Sequence, residues 1–90
     1  MMKEEQIEVS NKLGLHARAA AKLVHTASRF ESDVTIGTDD EEVNAKSILG
    51  LLTLAATKGS KLKIRANGRD EDAAVEAVVE LFQNRFGEPE

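Results

Sequence analysis

The sequence predicts an α+β fold, an open-faced β-sandwich in which three helices cover one face of a four-stranded antiparallel sheet. Four short segments alternate apolar and polar residues so that each has one apolar face, which is typical of a sheet with one face in water. Three helical patterns are interleaved with these segments in the order βαββαβα. Because the chain has 90 residues, we expect a single domain, residues 1–90, with a modest core.

The first half of the chain is predicted to contain a strand, a helix and a hairpin. Ile7 and Val9 alternate with polar residues up to a predicted turn at Ser10-Asn11. Small and apolar residues then recur at helical spacing over 17–29. Two further alternating runs, 33–36 and 41–45, are separated by a Gly/Asp turn and indicate a hairpin.

The second half is predicted to contain a short helix, a strand and a longer helix. Ser47 is a favoured N-cap for an apolar helical run that follows it. Residues 62–66 alternate regularly and indicate a strand. Asp70 is predicted to cap a final helix with acidic residues in its first turn, and Gly87-Glu88-Pro89 to end the folded part.

The composition excludes several classes of function. There is no cysteine, so disulfides and thiolate metal sites are absent, and no His, Asp and Glu cluster has metal-ligand spacing. A net charge of −4 with only three aromatic residues, all Phe, argues against nucleic-acid binding. No apolar run is long enough to span a bilayer. We therefore expect a cytoplasmic protein without metal or cofactor.

The most informative stretch places a histidine at the predicted start of the first helix. Gly14 allows a turn before His16, and the unpaired N–H groups of a helix start favour a bound anion. The same field disfavours a positively charged ring, which leaves a ring nitrogen free as a nucleophile. Arg18 lies in the same turn and suits phosphate geometry. These residues predict a histidine that accepts a phosphoryl group.

Residues 13–24, which contain Gly-Leu-His-Ala-Arg, resemble the active-site signature of the HPr family, the histidine phosphocarriers of the bacterial sugar phosphotransferase system. The resemblance implies the strand order 1-4-2-3. It also implies that enzyme I phosphorylates His16 on Nδ1, the ring nitrogen nearer the backbone, at the expense of phosphoenolpyruvate, and that enzyme IIA domains receive the group. By the same match, Arg18 assists the transfer and Ala17 offers a backbone N–H to the phosphate. Such a carrier is a phosphorylated intermediate rather than a turnover enzyme.

One residue beside this signature departs from the family pattern. The family usually has proline after the arginine, and here the position is Ala19. Proline in a first turn rigidifies the helix entry, whereas alanine is a good helix former that adds an N–H donor. We expect Ala19 to loosen the loop without abolishing phosphoryl transfer.

A second stretch, residues 44–52, resembles the family's regulatory signature. The resemblance implies that Ser47 is phosphorylated by an HPr kinase, while the residue is also explained as a helix cap. The resemblance further implies that the apolar residues after it form a docking surface, with Ile48, Leu49 and Leu52 as its predicted members. Only part of so short a helix can face the core, so some of this run must be exposed.

A stripe of four basic residues runs along the first helix and ends near His16. It comprises Arg18, Lys22, His25 and Arg29. An exposed, solvated face explains the stripe, and so does docking of an acidic partner, for which Lys22 is the candidate contact.

Two functions remain open from the sequence. The first is a monomeric phosphocarrier whose partners are enzyme I and enzyme IIA domains. The second is a regulatory docking module of the same fold, which binds an HPr kinase/phosphorylase or transcriptional regulators in an incomplete phosphotransferase system. Neither function requires nucleic acid or insertion into a membrane.

Overall fold

The computed structural model describes residues 2–90 and confirms the predicted fold class. Its elements, in chain order, are β1 (Met2–Glu8), α1 (Ala17–Ala27), β2 (Asp33–Gly37), β3 (Glu42–Asn44), α2 (Ile48–Leu54), β4 (Lys61–Asn67) and α3 (Glu71–Gln83), followed by a 3₁₀ turn at Arg85–Gly87. The four strands form one sheet in the order β1-β4-β2-β3, and every neighbouring pair is antiparallel. The implied order 1-4-2-3 is therefore confirmed.

Strand β4 shows why only one face of the sheet is covered. Leu62, Ile64 and Ala66 are buried, whereas Lys63 and Arg65 alternate with them on the opposite face. The solvent face is consequently charged, and the helices pack on the apolar face.

Ion pairs tie the strands together on the solvent face. The Arg65 guanidinium donates to Glu4 on β1 at 2.7 Å and to Glu42 on β3 at 3.0 Å. Lys63 pairs with Asp39 at 2.8 Å. Each exposed pair adds little stability, but together they make this face of the sheet charged.

Strand β1 is longer than the sequence indicated. It spans Met2–Glu8 and pairs with β4 along its whole length, yet only Ile7 among its residues is buried. Val9, just beyond its end, is also buried, and its backbone exchanges hydrogen bonds with Ser60 O (2.9 Å) and Gly59 N (2.8 Å). The alternating pattern therefore marked only the end of the strand that enters the core.

Helices α1 and α3 supply most of the remaining core. Their buried residues are Ala19, Ala20, Leu23 and Ala27 in α1, and Ala74, Val75, Val78 and Phe82 in α3. Helix α1 ends two residues earlier than predicted, and Phe30 packs at the edge of the core beyond it. No helix within residues 2–90 is long and apolar enough to cross a bilayer.

The predicted capping role of Asp70 is wrong. Asp70 occupies the N-cap position of α3, but its side chain makes no capping bond. Its carboxylate instead accepts from the N–H of Glu31 (2.9 Å) and from the N–H (2.9 Å) and Oγ (2.5 Å) of Ser32. The carboxylate is bonded to three donors from the loop before β2 instead of to an N–H of the first turn of α3. Asp70 therefore connects that loop to the start of α3.

The hydrogen bonds to Asp70 predict how the stability of the folded protein depends on pH. The hydrogen bond from Ser32, followed by that from the Glu31 N–H, lowers the pKa of Asp70 from 3.8 to about 2. Because the folded pKa is depressed, ionised Asp70 contributes stability above pH 3.8, and this contribution is lost as the pH falls through about 2. In denaturant titrations we expect Asp70→Asn to be less stable than wild type at pH 7, with the difference shrinking toward pH 2.

The exposed first-turn residue Asp72 provides the matched control. Asp72→Asn should leave the acid dependence of unfolding unchanged. A deficit of Asp70→Asn that is equally large at pH 7 and at pH 2 would show that the carboxylate charge is not the source of the effect.

The residues after α3 pack against the rest of the protein. The sequence had predicted only that the folded part ends at Gly87-Glu88-Pro89. In residues 85–90, called here the 85–90 segment, Phe86 is buried with φ +56° and meets the Phe82 ring edge-to-face at 4.7 Å between centroids. The Lys22 ammonium donates to the Phe86 carbonyl oxygen at 2.5 Å. These two contacts turn the segment back along α1 toward His16.

Candidate functional site

The loop before α1 is held in place by a close backbone approach at Gly14. Gly14 has φ +67°, and a Cβ atom there would lie 2.6 Å from the Ala56 carbonyl oxygen. The N–H of Leu15 donates to the same oxygen at 2.9 Å, and the Leu15 side chain is buried. Only glycine tolerates both conditions, so the turn delivers His16 to the helix start in one orientation.

His16 is itself the N-cap of α1. It has extended backbone angles, and its ring atom Nδ1 accepts from the N–H of Arg18 at 3.3 Å. A ring nitrogen thus does what the oxygen of serine or aspartate usually does at this position. The contact requires an unprotonated Nδ1, because only a nitrogen lone pair can accept the bond.

The other ring nitrogen contacts a carboxylate from the far end of the chain. Nε2 of His16 lies 2.5 Å from Oε2 of Glu88, and the two side chains are 26% and 13% exposed. The second oxygen, Oε1, accepts from Nδ2 of Asn11 at 3.0 Å. Glu88 therefore lies between the histidine and a buried amide.

The pKa of Glu88 is lowered by these neighbours. The hydrogen bond to His16 is the largest cause, and the bond from Asn11 acts in the same direction while burial opposes both. The Glu88 carboxylate is consequently ionised near neutral pH and accepts a hydrogen bond from the N–H at Nε2. Together with the bond from Arg18, this contact selects the ring form with hydrogen on Nε2 and a lone pair on Nδ1.

An open pocket of about 320 Å³ adjoins the ring. Its walls are Lys12, Leu13, His16, Arg18, Glu88, Pro89 and Glu90. The Arg18 side chain is exposed, and none of the ion pairs within residues 2–90 involves it. Its guanidinium is accordingly available to an anion at the helix start.

Two alanines and a lysine of α1 occupy defined places near the ring. Ala17 is the first helical residue and Ala19 the third, so both N–H groups belong to the turn that lacks intrahelical acceptors. Ala19 is fully buried. Lys22 is exposed, but its ammonium is held by the 85–90 segment, so its predicted docking contact would compete with that bond.

Ser47 caps α2, as predicted. Its Oγ accepts from the N–H of Gly50 at 3.1 Å. A Cβ atom on Gly50 would lie 3.3 Å from Cβ of Val43, which explains a glycine inside so short a helix. Leu51 is the buried residue of α2.

The predicted docking residues of α2 are exposed. Ile48, Leu49 and Leu52 are 43%, 78% and 38% exposed, and they form what we call the α2 patch. Leu13, beside the His16 pocket, is also exposed at 67%. Because α1 packs against α2, the patch and the ring belong to neighbouring elements.

Sequence reasoning missed Glu88, which contacts Nε2 of His16, and Asn11, which contacts Glu88. Asn11 was interpreted as a turn residue, and Glu88 as part of the end of the fold. The one available signal was Phe86: an aromatic residue after the last helix can be buried in the core, which would fold the end of the chain back onto the protein.

Within residues 2–90 no group of three His, Asp or Glu side chains could hold a metal ion. His25 is exposed on α1, away from the His16 pocket.

Comparisons with known proteins identify the family of the chain. The family model described as PTS HPr component phosphorylation site matches residues 3–84. A phosphocarrier protein HPr of Xylella fastidiosa is 54% identical over 87 residues, covering 97% of this chain and 98% of the relative.

Solved structures have the same fold. The crystal structure of HPr-C-His from Thermoanaerobacter tengcongensis has a TM-score of 0.94 at 46% identity, covering 98% of this chain and 99% of the other. Crh, a Bacillus subtilis catabolite repression protein described as a swapped dimer, has a TM-score of 0.75 at 44% identity, covering 89% and 92%. The chain therefore belongs to the HPr family of phosphocarrier proteins of the phosphotransferase system.

Proposed function

We propose that this chain accepts a phosphoryl group on Nδ1 of His16 from phosphorylated enzyme I and passes it to enzyme IIA domains during sugar uptake in the cytoplasm. The observation that carries the proposal is the pair of contacts at the ring. Nε2 is bound to Glu88 at 2.5 Å, and Nδ1 is aimed at the N–H groups of the helix start. Membership in the HPr family supports the same role.

The transfer step uses the lone pair on Nδ1. That pair forms a bond to phosphorus while the bond between phosphorus and the donor breaks, with its electron pair remaining on the donor. The Nε2 proton stays in place, so the ring gains positive charge. The Glu88 carboxylate faces that proton and offsets the charge. The reverse sequence delivers the phosphoryl group to the acceptor.

The helix start and Arg18 would stabilise the transferred group. Once Nδ1 carries phosphorus, its lone pair no longer accepts from Arg18, and that N–H can donate to a phosphoryl oxygen. The N–H of Ala17 lies in the same turn. The exposed guanidinium of Arg18 adds a planar cation that fits phosphate oxygens.

Removing the guanidinium should slow transfer without unfolding the protein. A hydrogen bond to a charged group contributes about 1.5–3 kcal/mol, so Arg18→Ala should slow phosphorylation by roughly 10- to 100-fold. Rapid-quench kinetics with enzyme I would measure the rate. Arg18→Lys is the control, because it keeps the charge without the planar fork and should recover part of the rate. Unchanged kinetics in Arg18→Ala would remove this residue from the site.

The proposed docking surface combines apolar and basic groups. The α2 patch, formed by Ile48, Leu49 and Leu52, offers exposed apolar area of the kind that marks a protein contact. Lys22 and the other exposed basic residues of α1 would steer acidic partners toward it. Enzyme I and enzyme IIA domains are the proposed partners, and we expect the chain to act as a monomer.

Ser47 is proposed as the regulatory site for an HPr kinase/phosphorylase. It is half-buried at the start of α2, directly before the α2 patch. A phosphate there would add about two negative charges to a surface that binds acidic partners. Regulation would then act on docking rather than on the ring of His16.

Substitution of Ser47 separates the cap from the charge. Asp is as good an N-cap as Ser, so Ser47→Asp should leave thermal stability near wild type while weakening binding to enzyme I by roughly five- to tenfold through like-charge repulsion. Ser47→Ala is the control and should lose about 1 kcal/mol of stability with unchanged affinity. Equal affinity of wild type and Ser47→Asp, measured by calorimetry, would leave Ser47 as a cap alone.

A regulatory docking module remains the second candidate function. The similarity to Crh, whose description refers to catabolite repression, favours it. In that case the chain would act by binding a kinase or a transcriptional regulator through the α2 patch, and transfer at His16 would be secondary.

Incubation with enzyme I and phosphoenolpyruvate distinguishes the two functions. We expect an acid-labile, base-stable phosphate, and NMR coupling between phosphorus and a ring nitrogen should locate it on Nδ1 of His16. Absence of this phosphate with enzyme I from the same organism would overturn the carrier function and leave the docking module.

A further inference from the structure

Asn11 is a buried polar residue with bonds to two distant parts of the site. It is fully buried in the loop between β1 and α1. Its Nδ2 atom donates to the Gly14 carbonyl oxygen at 2.8 Å and to Oε1 of Glu88 at 3.0 Å. The first bond shapes its own loop, while the second reaches a residue 77 positions away. A turn residue needs only the first.

The orientation of this amide follows from its neighbours. Rotating the group by half a turn would place Oδ1 against the Gly14 carbonyl oxygen and the Glu88 carboxylate, so that acceptors would face acceptors. Oδ1 itself is buried without a hydrogen-bond partner among residues 2–90. The two donor bonds are therefore what accounts for a buried amide at this position.

The bond from Asn11 determines what Glu88 can do. A carboxylate held at one oxygen can rotate about its last side-chain bond, whereas one held at both oxygens has its plane fixed. Here Oε1 faces Asn11 and Oε2 faces Nε2 of His16. The Lys22 bond to the Phe86 carbonyl keeps the Glu88 backbone nearby. The amide, the carboxylate and the imidazole thus form a continuous chain of hydrogen bonds.

We propose that Asn11 is a positioning residue for phosphoryl transfer at His16, acting through the Glu88 carboxylate. By fixing that carboxylate, Asn11 holds the proton on Nε2 and keeps the lone pair of Nδ1 in line with the helix start. This inference rests on the proposed carrier function for its kinetic consequence, but its effect on the ring exists in the unphosphorylated protein. Asn11 touches neither the phosphoryl group nor the reacting nitrogen.

Ring nitrogen NMR of the full chain tests the effect on the ring directly. At a pH where the ring is neutral, we expect His16 in wild type to be almost entirely in the Nε2–H form. In Asn11→Ala the spectrum should move toward the mixture of both forms shown by the exposed His25, which serves as an internal control. Transfer from enzyme I should be about tenfold slower, because a misplaced ring loses its near-attack geometry.

A double variant shows whether Asn11 acts through Glu88. Glu88→Gln keeps the shape of the side chain and removes its charge, and it should shift the His16 spectrum and slow transfer by at least as much as Asn11→Ala. If both residues belong to one chain of bonds, Asn11→Ala combined with Glu88→Gln should be no slower than Glu88→Gln alone. Additive losses would overturn the proposal.

Three further outcomes complete the test. If Asn11→Ala lowers stability but leaves the ring spectrum and the transfer rate at their wild-type values, Asn11 has only a structural role. If Asn11→Ala does not fold, Glu88→Gln alone decides, and an unchanged ring spectrum in that variant overturns the proposal. Failure of wild type to accept phosphate would reject the carrier function while leaving the ring spectra to test the positioning role.

Discussion

Replacing His16 with asparagine is expected to abolish acceptance of phosphate from enzyme I. Nδ1 of His16 is the nucleophile in the proposed transfer, and an amide nitrogen has no comparable lone pair. Asparagine is among the best N-cap residues, so α1 should still begin at the same place. The loss in labelling with phosphoenolpyruvate should therefore be complete, while the melting temperature changes little. His16→Ala should show the same loss with about 1 kcal/mol less stability.

His25→Asn is the matched control for this experiment. His25 is the second histidine of the chain, is exposed on α1 and lies outside the His16 pocket. Labelling at the wild-type level is expected for this variant. Persistent acid-labile phosphate in His16→Asn, or its loss in His25→Asn, would show that His16 is not the acceptor.

Truncating Phe86 should cause a large loss of stability and also disturb the site. Its ring is buried and packs edge-to-face on Phe82 at 4.7 Å. Removing a buried phenylalanine side chain costs about 3–5 kcal/mol, and the lost aromatic pair is part of that cost. In Phe86→Ala we therefore expect the free energy of unfolding, measured by urea titration, to fall by this amount. The 85–90 segment should detach, and Glu88 should leave Nε2 of His16.

Phe86→Leu separates the two effects of this change. Leucine keeps much of the buried volume, so stability should fall less and the 85–90 segment should stay in place. The His16 ring spectrum should then resemble wild type in Phe86→Leu and the Glu88→Gln variant in Phe86→Ala. A wild-type ring spectrum in Phe86→Ala would mean that Phe86 does not hold Glu88 in position.

Electrostatics around His16 differ from those of the molecule as a whole. The net charge is −4, yet Arg18, Lys22 and His25 on α1 and Arg29 just beyond its end are all exposed. Glu88 and Glu90 line the His16 pocket, whereas other acidic residues, such as Glu4 and Glu42, lie on the solvent face of the sheet. An acidic partner would consequently meet the surface beside the α2 patch with favourable charge, and its association should slow as salt is raised.

Most of the secondary structure was predictable because its signals are local. The alternation in β4 and the apolar spacing in α1 each required only a few neighbouring residues, and both elements formed within two residues of the predicted bounds. Ser47 was identified as a cap for the same reason. Strand β1 was predicted only in part, because five of its seven residues, Met2–Gln6, are exposed and carry no apolar alternation. These residues form a strand because they pair with β4, and no local sequence pattern reveals that pairing.

The errors arose where a side chain had a choice of partners. Asp70 precedes a helix and was expected to cap it, but the loop at Glu31 and Ser32 offers three donors that no local pattern reveals. Glu88 was assigned to the end of the fold because nothing near it in sequence indicates a partner. Hydrogen bonds to residues 38 or 72 positions away depend on how the elements pack.

The fold class, the position of His16 at the start of α1 and the nearby Arg18 followed from local sequence patterns. The family resemblance also implied that Nδ1 reacts, but the reason why Nδ1 is the free ring nitrogen lies in tertiary contacts. That choice requires Glu88, which a segment anchored in the core by Phe86 brings to Nε2, and Asn11, which holds the other oxygen of Glu88 from the loop before α1. The tautomer is set by the hydrogen-bond partner of each ring nitrogen. The partner of Nδ1 is the N–H of Arg18, two residues away, whereas the partner of Nε2 is Glu88, at the far end of the chain.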